Sequence, residues 1–196
     1  MSGPDEREQS GRAAVERAAR AIFERRGYAA ATVRSISSAA GVAPAVVSSY
    51  YRNKADLFAA VMDLPFDPSS AIPRLVAPGL DGMGERLVRL ALRAAQDEQV
   101  RADFEAAATN VGAPPSAVRA VWEFVSTEVI DQALAAVGVK DARMRGALVT
   151  SYLGGILMSR YVLRIEPLAS ASEEQVVALV APTIQALIDP TQPLPA

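Results

Sequence analysis

Along this chain the apolar residues recur at steps of three and four, and nowhere do they sustain the two-residue alternation of a half-buried strand. An all-α fold follows. Over residues 11–26, Val15, Ala18, Ala19, Ile22 and Phe23 form one face, opposite Arg12, Glu16, Arg17, Arg20, Glu24 and Arg25, and Gly27 stops the helix. That basic face reads as a solvated surface. Thr32 is placed to cap a short second helix with Val33, Ile36 and Ala40 inward, closed by Gly41. Pro44, which has no N–H to lose, then opens a third helix and forces Ala43 into an extended conformation. Val47 and Tyr51 stand one turn apart and face the core beside Val42. Ala45, Val46, Ser48, Ser49 and Tyr50 are left outward. Small side chains and hydroxyls, where a solubilising surface carries Glu, Lys or Arg, suit a helix that enters a groove and reaches phosphates. Asn53 caps a fourth helix running to Met62, with Asp56 in the capping-box position and Lys54 in a first turn that suits an anion.

Composition narrows the chemistry. The 196 residues contain no histidine and no cysteine, which excludes disulfides, thiolate chemistry, Ser-His-Asp triads and ordinary zinc sites. No paired carboxylates stand out to do acid-base work instead, so an enzyme is disfavoured and no cofactor is implied. The net charge of −2 hides an asymmetry: the first 60 residues hold nine basic and six acidic side chains, the other 136 hold eleven and sixteen. The front is the end able to meet a polyanion. The polar N-terminus does not read as a signal peptide, so a cytoplasmic location is expected.

The stretch "AARAIFERRGYAAATVRSISSAAGVAPAVVSSYYRNKADLF" resembles the TetR family of bacterial transcriptional regulators. It has a first helix ending in Phe-x-x-x-Gly-Tyr, a Thr-capped second helix, an Ala-Gly-Val turn, and a third helix leading into aromatic-x-x-Lys-x-x-Leu. The resemblance implies a three-helix DNA-binding head with a helix-turn-helix, carried on a larger helical domain that dimerises and binds a small effector. By that likeness Arg34 touches a base edge, Pro44, Ala45, Val46 and Ser49 face the groove, and Thr32, Ser48, Tyr50 and Lys54 contact phosphates. From the residues alone, Arg34 equally fits a pairing with a carboxylate. Two positions depart from the family pattern: Ser48 stands where tyrosine is usual, and Ala43 where a capping Ser or Thr is usual. The expected organisation is a disordered tail over 1–9, the head over 10–60, a ligand-binding and dimerisation domain over 61–189, and a flexible tail over 190–196.

Four prolines in "DLPFDPSSAIPRLVAPGLD" predict a loop with one helical turn near residues 70–76. Helices resume over 82–96, where Leu87, Leu90, Ala91 and Ala94 mark one face, and over 99–109. A longer helix then places Val118, Val121, Trp122, Val125 and Val129 in register. The segments "GERLVRLALRAAQDEQVRADFEAAA" and "YVLRIEPLASASEEQVVALVAP" look like a recurrent type of actinobacterial TetR C-terminal domain. Residues 143–164 are apolar almost all round. Only fourteen residues separate Arg145 from Arg160, short of the roughly 20 a bilayer needs, so burial by a second copy fits better than a membrane. That segment and an amphipathic helix over 174–188, bent or restarted at Pro182, predict a four-helix isologous interface using Tyr152, Gly155, Ile156, Val180 and Ile184. Phe104, Trp122, Phe124 and Tyr152 are candidates to line an effector cavity, each with plain core packing as its alternative. Thr109 and Asn110 read as helix caps. The sequence therefore points to a homodimeric repressor released from a palindromic operator on double-stranded DNA by a small apolar or amphipathic effector. A helical interaction module that has lost specific DNA binding is the alternative.

Overall fold

The computed structural model describes residues 4–64, 66–98, 100–102, 105, 116–189 and 191. Among them there are ten α-helices and no strand, and no helix is long and apolar enough to cross a membrane. Helix α1 spans Pro4–Ala30 and is broken at Gly27, whose φ of 79° and ψ of 170° lie outside helical space. It starts earlier than the periodicity predicts, so residues 4–9 are helical where a disordered tail is expected. Pro4 at the first helical position supplies the φ for that start. Helices α2 (Val33–Ala40), α3 (Pro44–Tyr50) and α4 (Lys54–Val61) complete the head. Val15, Ala19, Phe23, Ile36, Val47, Leu57 and Phe58 form its core, each at most 2% exposed. Tyr51 joins them at 7%, as its spacing predicts.

Helix α5 (Pro68–Val76) replaces the predicted loop with a single helical turn. Asp67 accounts for the difference. Its carboxylate accepts the Ser69 N–H at 3.0 Å and holds the start, while Ala71 and Leu75 anchor the inner face. The body continues with α6 (Met83–Ala94) and α7 (Ser116–Phe124), which passes through a π-helical turn at Val125–Ile130 into α8 (Asp131–Ala136). Helix α9 (Ala142–Leu157) runs into a second π-helical turn at Met158–Val162, and α10 (Glu173–Ile188) closes the chain. Ser172 and Gln175 form a full capping box at its start, and the helix runs through Pro182.

Helices α6 and α10 pack closely. A Cβ on Gly84 would lie 2.6 Å from the Ala181 carbonyl oxygen and 2.7 Å from the Gln185 nitrogen, so only glycine permits this approach. Gln185 returns the contact, accepting the Gly84 N–H at 2.9 Å and donating to the Leu80 carbonyl at 3.1 Å. Against them α10 turns Val176, Val177, Val180, Ile184 and Ile188 inward. This corrects the expected dimer surface: Val180 is 5% exposed and Ile184 is fully buried, so neither reaches a second copy. The apolar periodicity of α10 is real, but the chain's own α6 covers that stripe.

Candidate nucleic-acid interface and cavity

The head presents its polar side chains through three local devices. Thr32 caps α2, accepting the Ser35 N–H at 3.0 Å, while Ser35 Oγ accepts the Thr32 N–H at 3.2 Å. Gly41, in the left-handed region at φ 69°, then turns the chain sharply enough for α3 to start three residues later. Ala43 is extended and offers no side-chain cap, so Pro44 alone sets the beginning of α3. On the resulting surface Thr32, Arg34, Pro44, Ala45, Ser48 and Ser49 are exposed, and Val46 and Tyr50 half-buried. Arg34 and Pro44 line one groove between α2 and α3, together with Val33, Ser37, Ser38 and Val42. The hydroxyls of Ser48 and Ser49 donate back to the Pro44 and Val46 carbonyls at 3.3 and 2.8 Å, leaving their lone pairs outward. The Tyr50 hydroxyl lies over Gly11, where a Cβ would approach it to 3.2 Å.

Behind that face, Tyr51 gives its hydroxyl proton to Glu16 and accepts from Arg12 Nε at 3.3 Å. The Tyr51 hydroxyl and then Arg12 hold the Glu16 carboxyl below the usual carboxylate range.

Lys54 departs from the expected phosphate contact. Its ammonium donates to the carbonyls of Tyr28 at 3.0 Å and Ala31 at 3.2 Å and sits 4.0 Å from the centre of the Tyr28 ring. Burial lowers its pKa from the ordinary lysine value, partly offset by Glu128. Lys54 therefore ties the end of α1 to the start of α4, and a phosphate would have to compete with two carbonyls for it. Asp56 also differs from the expected capping-box partner. Asn53 does accept the Asp56 N–H at 2.8 Å, but the Asp56 carboxylate is engaged by Arg52 Nε at 2.6 Å.

Head and body meet through α7. Phe124 is fully buried, stacked on Phe58 with centroids 4.6 Å apart and edge-on to Tyr28 at 5.0 Å. Phe23 completes the cluster against Phe58 at 4.8 Å. The neighbouring Glu123 accepts the Ala29 N–H at 3.3 Å and occupies the space left by the missing side chain of Gly27. Burial and then a hydrogen bond to Glu128 push the Tyr28 phenol well above its ordinary pKa.

The opposite side of α7 faces a cavity of about 130 Å³. Val121, Trp122 and Val125 line it from α7 and its π-helical turn, Leu153 and Leu157 from α9, and Met62, Asp63 and Leu64 from the end of α4. A Cβ on Gly154 would lie 2.6 Å from Trp122 Cη2, so that glycine seats the indole. Of the predicted pocket residues, Trp122 lines this cavity and two others do not. Phe124 points the other way, into the junction, because two positions along a helix turn a side chain by about 200°. Tyr152 is 38% exposed on the outside of α9. Phe104 lies outside the described residues, as do Thr109 and Asn110. Sequence reasoning marks Leu87, Leu90, Ala91 and Ala94 as one face of α6 and does not identify them as cavity residues. The available signal was a second apolar stripe on α6, since Met83, Val88 and Leu92 already serve the core.

The described large apolar side chains left most exposed are Met144, Leu148, Tyr152, Leu163, Ile165 and Leu179, all from the last part of the chain. Gly155 is exposed beside Tyr152, with no atom within 4 Å of where its Cβ would stand, and Ile156 is half-buried. Among the described residues no group of His, Cys, Asp or Glu could hold a metal ion.

Comparison with protein families decides the identity of this scaffold. Residues 81–188, more than half of the chain, match the tetracyclin repressor-like C-terminal domain, and residues 17–61 match the bacterial regulatory proteins of the tetR family. The chain belongs to the TetR family. It is accordingly a DNA-binding transcriptional regulator, in a family of regulators and not of enzymes. Similar solved structures include a TetR-family regulator from Streptomyces coelicolor A3, 32% identical over 95% of this chain and 99% of that one, with a TM-score of 0.46. A TetR transcriptional regulator from Rhodococcus sp. RHA1 is 19% identical over 91% of this chain and 97% of that one, with a TM-score of 0.34. No curated protein matches. In TetR terms α2 and α3 are the helix-turn-helix, and the cavity lies in the C-terminal domain beneath the head.

Proposed function

We propose that this TetR-family chain is a homodimeric repressor that binds a pseudo-palindromic operator and is released from it by a small apolar effector. The observation that carries the reading is the outer face of α3. From Pro44 to Tyr50 it holds no charged side chain, and its small residues and hydroxyls are exposed beside Arg34. Pro44, Ala45, Val46 and Ser49 meet base edges and thymine methyls, Arg34 reads a guanine, and Thr32, Ser48 and Tyr50 take phosphates. Lys54 is left out of this set because its ammonium is committed within the head.

The exposed apolar stripe of α9, with Met144, Leu148, Tyr152 and Gly155, and Leu179 on α10 supply the surface for the second copy. Two-fold pairing through it sets the two α3 helices one DNA turn, about 34–36 Å, or a multiple apart. Effector response follows from the two faces of α7. Val121, Trp122 and Val125 touch the cavity, while Glu123 and Phe124 hold Gly27, Ala29 and Phe58 of the head. A molecule that fills the cavity shifts α7 and with it the spacing of the heads. To move the population from 1:99 to 99:1 it must favour the released form by about 5.5 kcal/mol.

Selection of bound DNA from a random pool tests the proposal. A two-fold symmetric motif with half-sites one turn or a multiple apart is the expected result. Recovery of no enriched sequence, or of a single unrepeated half-site, would overturn it.

A further inference from the structure

The next step rests on the reading of the cavity as an effector site and concerns what its effector must look like. At about 130 Å³ the cavity is of the size that accepts one ring, since an engineered apolar cavity of about 150 Å³ takes up benzene. Among the described residues its wall has very few polar side chains. Thr150, 9% exposed, donates its hydroxyl proton to the Gly146 carbonyl at 2.8 Å, so its Oγ1 has only lone pairs to offer. Asp63 stands at the rim as a carboxylate, and Arg20 at 3.1 Å is already engaged with it. Among the described residues no cationic side chain lines the cavity.

Such a wall discriminates by hydrogen-bond polarity. A ligand donor gains Thr150 Oγ1. Among the described lining residues the Trp122 indole carries the one side-chain N–H, and a ligand acceptor placed away from it is left unsatisfied, which costs between about fivefold and a hundredfold in affinity. An anion would have to desolvate near Asp63 with no cation to receive it. We propose that the effector is a neutral single-ring compound whose polar group is a hydrogen-bond donor, the phenol class, with its ring beside Trp122 and its hydroxyl on Thr150.

The test compares probes of nearly equal size on the full-length protein. Toluene, phenol, anisole and benzoate are titrated by calorimetry, with Trp122 emission reporting the location. In a wholly apolar hole phenol loses to toluene, because its hydroxyl leaves water and gains nothing. Here phenol is expected to bind at least as tightly as toluene and about fivefold or more tighter than anisole, with benzoate not binding. In Thr150→Val, which keeps size and branching, toluene is expected to stay within about twofold while phenol weakens about tenfold. Anisole equal to phenol, benzoate tightest, or an unchanged phenol-to-toluene ratio in the variant would each overturn the assignment. The anisole comparison needs no variant and so stands even if Thr150→Val folds poorly. Binding of toluene in those cases leaves the cavity as an effector site. Failure of every probe, toluene included, removes both.

Discussion

Replacing Gly27 by alanine tests how the DNA-binding head is fastened to the body. At φ 79° and ψ 170°, Gly27 occupies a region that is essentially restricted to glycine, and a side chain there costs about 1–3 kcal/mol. The added Cβ would also fall on the Glu123 carboxylate, 2.8 Å from Oε1 and 2.9 Å from Cδ, with Oε2 closer still. Glu123 is flexible and can swing aside, at the loss of the hydrogen bond it accepts from the Ala29 N–H. That bond is worth about 0.5–1.5 kcal/mol net. Gly27→Ala is therefore expected to destabilise by about 1.5–4.5 kcal/mol, and Glu123→Ala by about 0.5–1.5 kcal/mol. In the double variant the bond is already gone and the space already open, so only the backbone strain is new. Its destabilisation should equal that of Gly27→Ala alone, short of the sum of the singles by the value of the bond. Urea titrations followed by far-ultraviolet circular dichroism, at one protein concentration and one salt, measure all four corners of the cycle. Strict additivity would refute the idea that Glu123 fills the glycine's place. A Gly27→Ala variant within about 0.5 kcal/mol of the parent would refute the strain argument itself.

The remaining predictions concern separate parts of the molecule. Glu16 is held below its ordinary value of 4.5 by the Tyr51 hydroxyl and then Arg12, so its stabilisation is present above that pH and lost as pH falls through the lower folded-state value. Tyr51→Phe should raise the Glu16 pKa in carboxyl NMR and shift acid unfolding to higher pH; coincident acid transitions would count against it. Leu148→Glu should yield a folded monomer in sedimentation, whereas Val180→Ala should cost about 2 kcal/mol of stability and leave assembly unchanged, and the reverse pattern would contradict the surface assignment. Lys54→Ala should lower the stability of the free protein by about 1–3 kcal/mol and change the slope of log affinity against log salt by less than one unit per half-site. Arg34→Ala should instead weaken binding by about 1–3 kcal/mol at one symmetric base pair, which titrations on single-base variants of the selected site resolve.

Much of the head is legible in the sequence because its signals are local. Thr32, Gly41, Pro44 and Asn53 each act on backbone within a few residues, and the structure uses each as a cap, a turn or a helix start. Lys54 departs from its expected setting for the opposite reason. Its first-turn position suits a phosphate, but its partners are carbonyls 26 and 23 residues earlier, brought close only when α1 breaks at Gly27. The loop predicted around residue 70 fails more simply. Prolines break a helix interior, but Pro68 sits at a helix start that Asp67 caps.

In the body, periodicity finds the apolar faces but does not say what each one meets. Helix α10 carries one stripe, and Val180 and Ile184 lie on it; whether α6 or a second copy covers them depends on the Gly84–Gln185 approach, which no spacing rule contains. Helix α6 shows the complementary case. One of its stripes packs on α10 and the other, Leu90, Ala91 and Ala94, borders a hole. A stripe that faces a cavity and a stripe that faces a core are the same pattern on the page, since both are apolar surface removed from bulk water. The difference is volume that neighbouring side chains leave unfilled, a sum over α4, α6, α7 and α9 at once. Phe124 and Trp122 make the point within two residues: both are aromatic and both lie in α7, yet one seals the junction to the head and the other walls the cavity.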